Sequence, residues 1–189
     1  MTLKILSLNI ERDKHLSKVF NLLKKEKPEV VCLQEVQEPD FEVLKEKFGL
    51  EGFFVPMDSC LRNENGKQEL VRQGIAYYSN LLILKIESLF YVGKGTAPNH
   101  KSGNDVDRVL VLGQVEKEGE KYTIATTHFT WADDGGVNEE QRRDLKQLLK
   151  LLRQKGELVL CGDFNAPRGR EVFTILSSYL KDNIPPEVQ

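Results

Sequence analysis

Long apolar runs, paired cysteines and an excess of charge of either sign are all missing from this 189-residue chain. No apolar stretch approaches the roughly 18 residues of a membrane-spanning helix. The opening MTLKILSLNI also lacks the extended apolar stretch of a secretory signal, so a soluble, unexported, cytoplasmic protein is expected. The cysteines, Cys32, Cys60 and Cys161, are odd in number and show no CxxC spacing, which reads as three reduced thiols. With 27 basic against 29 acidic residues the formal net charge is -2, which excludes the broad cationic field of a nonspecific nucleic-acid coat. A polyanion would have to be met by a local patch or a metal ion. Repeats, low-complexity tracts and linkers are absent too, so residues 1–189 are read as one domain, 40% hydrophobic and able to build a substantial core.

What is present is an alternation of strand and helix patterns. KILSLNIE (4–11) alternates with period two, placing Leu6, Leu8 and Ile10 on one face and Asn9 and Glu11 on the other. DKHLSKVFNLLKKEKP (13–28) shifts to helical spacing through Leu16, Val19, Phe20 and Leu23, with Asp13 as the cap and Pro28 as the stop. EVVCLQEV (29–36) has the continuous apolar character of a strand covered on both faces. DFEVLKEKF (40–48) forms a short helix ending at Gly49. The middle of the chain is β-rich, in FFVP, ELVRQGIAYYS, LLILKIESLFYV and DRVLVLGQVEK, and should be mainly antiparallel. The turn EGEK (118–121) predicts a hairpin between DRVLVLGQVEK and KYTIATTHFTW. NEEQRRDLKQLLKLLRQKG (138–156) is the clearest helix, with Asn138 capping, Gln141 at the capping-box position and Gly156 closing. ELVLCGDFN supplies a further buried strand, with Gly162 allowing close backbone approach, and REVFTILSSYL (170–180) a last helix.

Four of these strands end on a metal-binding or proton-transferring residue where the apolar run gives out: Asn9 with Glu11, Glu35, His128, and Asp163 with Asn165. Ligands of open α/β sheets sit beyond the carboxyl ends of strands, so these residues can converge although they are scattered in sequence. Each has an ordinary structural explanation when taken alone. A single acid at a strand end begins a loop, and Asp163 and Asn165 suit an Asx-turn leading to Pro167. The joint pattern favours a hard divalent cation and a phosphate. Mg²⁺, with Mn²⁺ as a substitute, takes one or two carboxylates such as Glu35 and Glu11 and leaves room for water and substrate oxygens. Zinc is disfavoured, because His15, His100, His128 and the cysteines lack close ligand spacing.

LSLNIE, PEVVCLQEV, TTHFTW and CGDFNAPRGREV, in that order, resemble the endonuclease/exonuclease/phosphatase superfamily of pancreatic deoxyribonuclease. The run from TTHF to GDFN and REV is most similar to its tyrosyl-DNA phosphodiesterase branch. The resemblance implies an α/β fold of two packed mixed β-sheets flanked by helices, a four-layer α/β/β/α sandwich. It implies a Mg²⁺-dependent phosphodiesterase or nuclease in which water attacks a phosphodiester in line. Glu35 would be the inner Mg²⁺ ligand, with Asn9 and Glu11 completing the metal-water and phosphate shell. Asp163 would deprotonate the water, Asn165 would donate to the phosphate, and His128 would bind it. Family members continue into further strands and finish on a catalytic Ser-Asp-His motif, whereas this sequence stops at Gln189. The fold is therefore expected to lack its last strands. Self-association or strand exchange through an exposed edge follows, as does an incomplete half needing a second chain.

Weaker signals surround this set. The loop 93–108 carries Lys94, His100, Lys101 and Arg108, either a phosphate-contacting patch or a solvated loop. Arg168 and Arg170 could touch a leaving group, and Trp131 could stack on a base or cover a sheet edge. Nucleic acid or another phosphodiester is the expected substrate. The competing reading is a noncatalytic phosphate- or nucleic-acid-binding module on the same scaffold.

Overall fold

The computed structural model of the protein describes residues 2–99 and 105–185. The first half of the chain runs β1 (Ile5–Asn9), α1 (Leu16–Glu26), β2 (Val30–Gln37), α2 (Glu38–Phe48), β3 (Glu51–Glu64) and β4 (Lys67–Ser79). The second runs β5 (Leu82–Val92), β6 (Arg108–Lys117), β7 (Glu120–His128), α3 (Glu139–Leu152), β8 (Val159–Asp163) and α4 (Glu171–Tyr179). Each half forms a mixed four-stranded sheet, ordered β1-β2-β4-β3 and β5-β6-β7-β8. Within each sheet one pair is parallel, β1 with β2 and β7 with β8, and the remaining pairings are antiparallel. Both parallel pairs are joined by a helical crossover, α1 and α3, as a parallel connection requires.

Three apolar layers produce the sandwich. Val31 and Leu33 of β2 meet Val19 and Leu23 of α1 and Phe41 and Leu44 of α2. Val30 and Cys32, on the other face of the same strand, meet Val109, Val111 and Ile124 of the second sheet. This period-two division explains why β2 is apolar throughout. Leu145, Leu148, Leu149 and Leu152 of α3, with Val172 and Leu176 of α4, cover the outer face of the second sheet. At one end of the sandwich Glu29 ties the sheets together. It accepts from Lys117 Nζ at 2.9 Å and from the Lys4 backbone N–H at 3.0 Å.

Several elements depart from the sequence reading. Helix α1 begins after His15, which makes no side-chain cap bond, so Asp13 contributes only its carbonyl, to Leu16 N–H. Helix α2 starts at Glu38, and α3 ends at Leu152 rather than running to Gly156. Strand β3 continues well past FFVP into a hairpin that turns at Asn65 and Gly66, both at positive φ. Residues 57–64 have no apolar run: Met57 and Asp58 are buried, and the strand opens to solvent toward Asn63 and Glu64. Strand β8 is a half-exposed edge rather than a buried strand: it pairs only with β7, and Val159 is 44% exposed. The loop residues His100 and Lys101 lie outside the described residues.

Candidate active site

The parallel pairs β1–β2 and β7–β8 come from different sheets, and their carboxyl ends meet at one end of the sandwich. Asn9 Nδ2 donates to Glu35 Oε1 at 2.9 Å and to Asp163 Oδ2 at 3.0 Å. One amide thus joins the first sheet to a carboxylate of the second. His128, opposite Asp163 in the β7–β8 register, places Nε2 3.9 Å from both Glu35 Oε1 and Asp163 Oδ2. These residues and Asn165 line a cavity of about 450 Å³, within the size range of small-molecule sites.

The backbone holds these groups in sparsely populated conformations. Glu35 sits at φ 58, where the β2–β4 register shifts between Leu33 and Val36. This bulge turns Glu35 out of the ladder, and non-glycine residues adopt the left-handed region at a cost that surrounding structure must offset. Asn165 is also left-handed, at φ 47. Its N–H donates to Asp163 Oδ1 at 2.9 Å, and its Nδ2 donates to Phe129 O at 2.9 Å. The Asx-turn anticipated from the sequence is therefore present, and it uses one Asp163 oxygen while the other faces Asn9. Gly162, at φ 137, lies so close to β7 that an added Cβ would stand 2.0 Å from Thr127 O.

Arg108 begins β6, is 3% exposed and lines the cavity, so it does not belong to a solvated loop. It donates from Nη1 to His128 O at 3.1 Å. Burial pushes His128 below its ordinary pKa, and Arg108 pushes the same way against the pull of Asp163 and Glu35. Gln141, read as a capping-box residue, is fully buried instead. Its Nε2 donates to Thr130 O at 2.7 Å and to Asn165 O at 3.2 Å, bracing the segments after β7 and β8. The Asn138 side chain alone caps α3, accepting from Gln141 N–H at 2.8 Å. The spacing to Asn138 suggested a cap, and only the fold brings Gln141 to these carbonyls.

Other candidates are not brought into the cluster. The positive φ of Glu11 and Arg12 ends the period-two alternation, so Glu11 does not share the direction of Asn9. The Glu11 carboxylate pairs with Lys14 and stands 3.8 Å from His15 Nε2. Its backbone N–H donates to Asn9 Oδ1 at 3.0 Å, which fixes the amide with Nδ2 toward the two carboxylates. Asn9 thereby orients the Glu35 carboxylate. Arg168 turns to the chain at 182–185, donating to Asp182, Ile184 O and Pro185 O. Trp131 does line the cavity and is 47% exposed. Among the described residues no group of three His, Cys, Asp or Glu side chains is disposed to hold a metal ion by itself. Glu35 Oε1, a hard oxygen on the cavity wall, suits Mg²⁺, which retains several waters when few carboxylates bind it.

A family model for the endonuclease/exonuclease/phosphatase family matches residues 6–185. The chain belongs to that family. Among solved structures, an endonuclease/exonuclease/phosphatase protein of Bacteroides vulgatus superposes with a TM-score of 0.69 at 17% identity, over 93% of this chain and 70% of its own. A mannosyl-6-phosphatase of Bacteroides thetaiotaomicron VPI-5482 gives 0.69 at 14%, over 94% and 71%. TDP2 of D. rerio, complexed with a single-strand DNA product, gives 0.61 at 19%, over 87% and 61%. Such identities carry the family's fold and do not single out a branch. No curated protein matches the sequence. No helix among the described residues is long and apolar enough to cross a membrane.

Proposed function

We propose that this member of the family is a Mg²⁺-dependent phosphodiesterase whose active centre is the strand-end cluster. The observation that carries the reading is Asn9 Nδ2 bonded at once to Glu35 and Asp163, which gathers two carboxylates from opposite sheets beside His128. Packing two acids together serves no core and is costly unless a charge is to be met there.

Glu35 would hold the metal, helped by the orientation that Asn9 imposes on its carboxylate. A bound Mg²⁺ would polarise the phosphate and offset charge on its nonbridging oxygens. Asp163 Oδ2 accepts the proton of the attacking water, while Oδ1 stays in the Asx-turn and keeps the carboxylate aimed. His128, favoured as the neutral imidazole by burial and by Arg108, donates a hydrogen bond to a phosphate oxygen. Asn165 uses one amide hydrogen on Phe129 O and offers the second to the same phosphate. A phosphatase and a DNA-bound protein stand among the structural neighbours, so phosphate esters and nucleic acids are both within reach of the scaffold.

The test is release of 4-nitrophenol from bis(4-nitrophenyl) phosphate. Turnover should require Mg²⁺ or Mn²⁺, stop on chelation and fall at least about a hundredfold in Glu35→Ala. Turnover that persists without metal, or no turnover under any metal, refutes the reading.

A further inference from the structure

At the amino end of β2, away from Glu35 near its carboxyl end, the last turns of α1 and α2 border a second cavity of about 650 Å³. Phe20 and Phe48 form its apolar wall, half-buried and with ring centroids 5.9 Å apart, and the buried Leu23 and Leu50 extend it inward. Three exposed lysines, Lys24, Lys27 and Lys47, line the same cavity. Lys47 Nζ stands 3.8 Å from the centre of the Phe20 ring, so one ammonium is seated directly against the apolar wall.

Helix ends explain only part of this charge. The carboxyl terminus of a helix is equivalent to about half a negative charge, so α1 and α2 together answer about one of the three lysines. The carboxylates at hand are engaged elsewhere: Glu26 with Lys4 at 2.8 Å and with Lys25 at 3.6 Å, and Glu51 with Lys45 at 3.8 Å. Among the described residues no carboxylate pairs with Lys24, Lys27 or Lys47. The cavity is also set in shape. Lys27 N–H closes α1 on Leu23 O at 2.9 Å, and Leu50 N–H closes α2 on Lys45 O at 3.2 Å. A preset cavity lowers the ordering cost of binding.

We propose that this cavity is a second ligand site, separate from the strand-end cluster, for an amphiphilic anion: a carboxylate or phosphate head on a single apolar tail. The tail covers Phe20 and Phe48, and the head lies among the ammonium groups of Lys24, Lys27 and Lys47. A bare anion would meet lysines screened by solvent and salt and leave the apolar wall wet. An uncharged hydrocarbon would cover the wall and leave the positive charges unanswered. A flat lipid surface meets the lysines without entering the concave wall, whereas a single tail enters it.

The full chain is titrated by calorimetry with octanoate, decanoate, 1-octanol and a short poly-glutamate, and its melting temperature is followed with each. Decanoate should bind about tenfold tighter than octanoate, as burial of its added methylenes predicts. Octanoate should in turn bind severalfold tighter than 1-octanol, with an advantage that shrinks as salt is raised. The variant carrying Lys24→Gln, Lys27→Gln and Lys47→Gln alters only exposed side chains. It should lose about tenfold in decanoate affinity, the scale of one ligand charge left unmatched, while its 1-octanol affinity and its turnover of bis(4-nitrophenyl) phosphate stay the same. Equal binding of 1-octanol and octanoate, undiminished decanoate binding by the variant, or no decanoate binding at all overturns the proposal. Competitive inhibition of turnover by decanoate also overturns it, by placing the anion at the strand-end cluster. Poly-glutamate binding as tightly as decanoate overturns it too, and assigns the lysines to an acidic protein segment.

Discussion

Asp163 has two oxygens with two tasks: Oδ1 closes the Asx-turn with Asn165 N–H, and Oδ2 faces Asn9 across the gap between sheets. From sequence alone the turn and the active-site roles were alternatives, and the structure shows that one carboxylate serves the turn while meeting the cluster. Gly162 lies one position earlier. In Gly162→Ala the new methyl meets Thr127 O in a backbone conformation that side chains rarely adopt. The substitution should cost about 1–3 kcal/mol in chemical denaturation, with turnover reduced through misplacement of Asp163. The polar strand ends were legible because each interrupts an apolar run. Arg108 was legible as a candidate but not as a buried one, since it follows a polar loop and only the β6 register buries it behind His128. Glu11 misled the period-two reading because the left-handed turn that ends β1 has no glycine to announce it.

Between elements, the site depends on α3, which touches it through Gln141. Losing its donations to Thr130 O and Asn165 O leaves one buried and one part-buried carbonyl without that partner. Gln141→Leu should therefore lower stability by about 1–3 kcal/mol. Turnover should fall more than KM rises, because Asn165 and the Trp131 segment shift together; an effect on stability alone would make Gln141 a packing residue. At another junction Lys117 and the Lys4 backbone N–H hold the Glu29 carboxyl below its ordinary range. A carboxylate with a depressed folded pKa stabilises above its ordinary value and loses that contribution as pH falls through the folded one. Glu29→Gln should thus melt earlier than the native chain at neutral pH, and the difference should close in acid. Helices and central strands were readable from periodicity. The extension of β3 was not, because beyond the buried Met57 and Asp58 the hairpin opens to solvent and leaves no sustained alternation to read.

Across the whole molecule, each sheet contributes one parallel pair, and only at the carboxyl ends of both pairs do Asn9, Glu35, His128 and Asp163 come together. The order of motifs along the sequence anticipated this convergence, while the amide that joins the sheets became visible only in the fold. If the cluster is one catalytic centre, substitutions on opposite sheets act on the same step and their losses do not add. The most direct measurement is a double-mutant cycle on bis(4-nitrophenyl) phosphate turnover with Mg²⁺, using Glu35→Gln and Asp163→Asn. Both substitutions keep side-chain shape, and Asn at 163 can still close the turn. Each single variant should lose about 10²–10⁴ in kcat without loss of folding, and the double variant should be far less impaired than the product of the two losses. Native turnover in Asp163→Asn, with the turn intact, would contradict a catalytic role for the cluster and leave it a structural junction between two sheets.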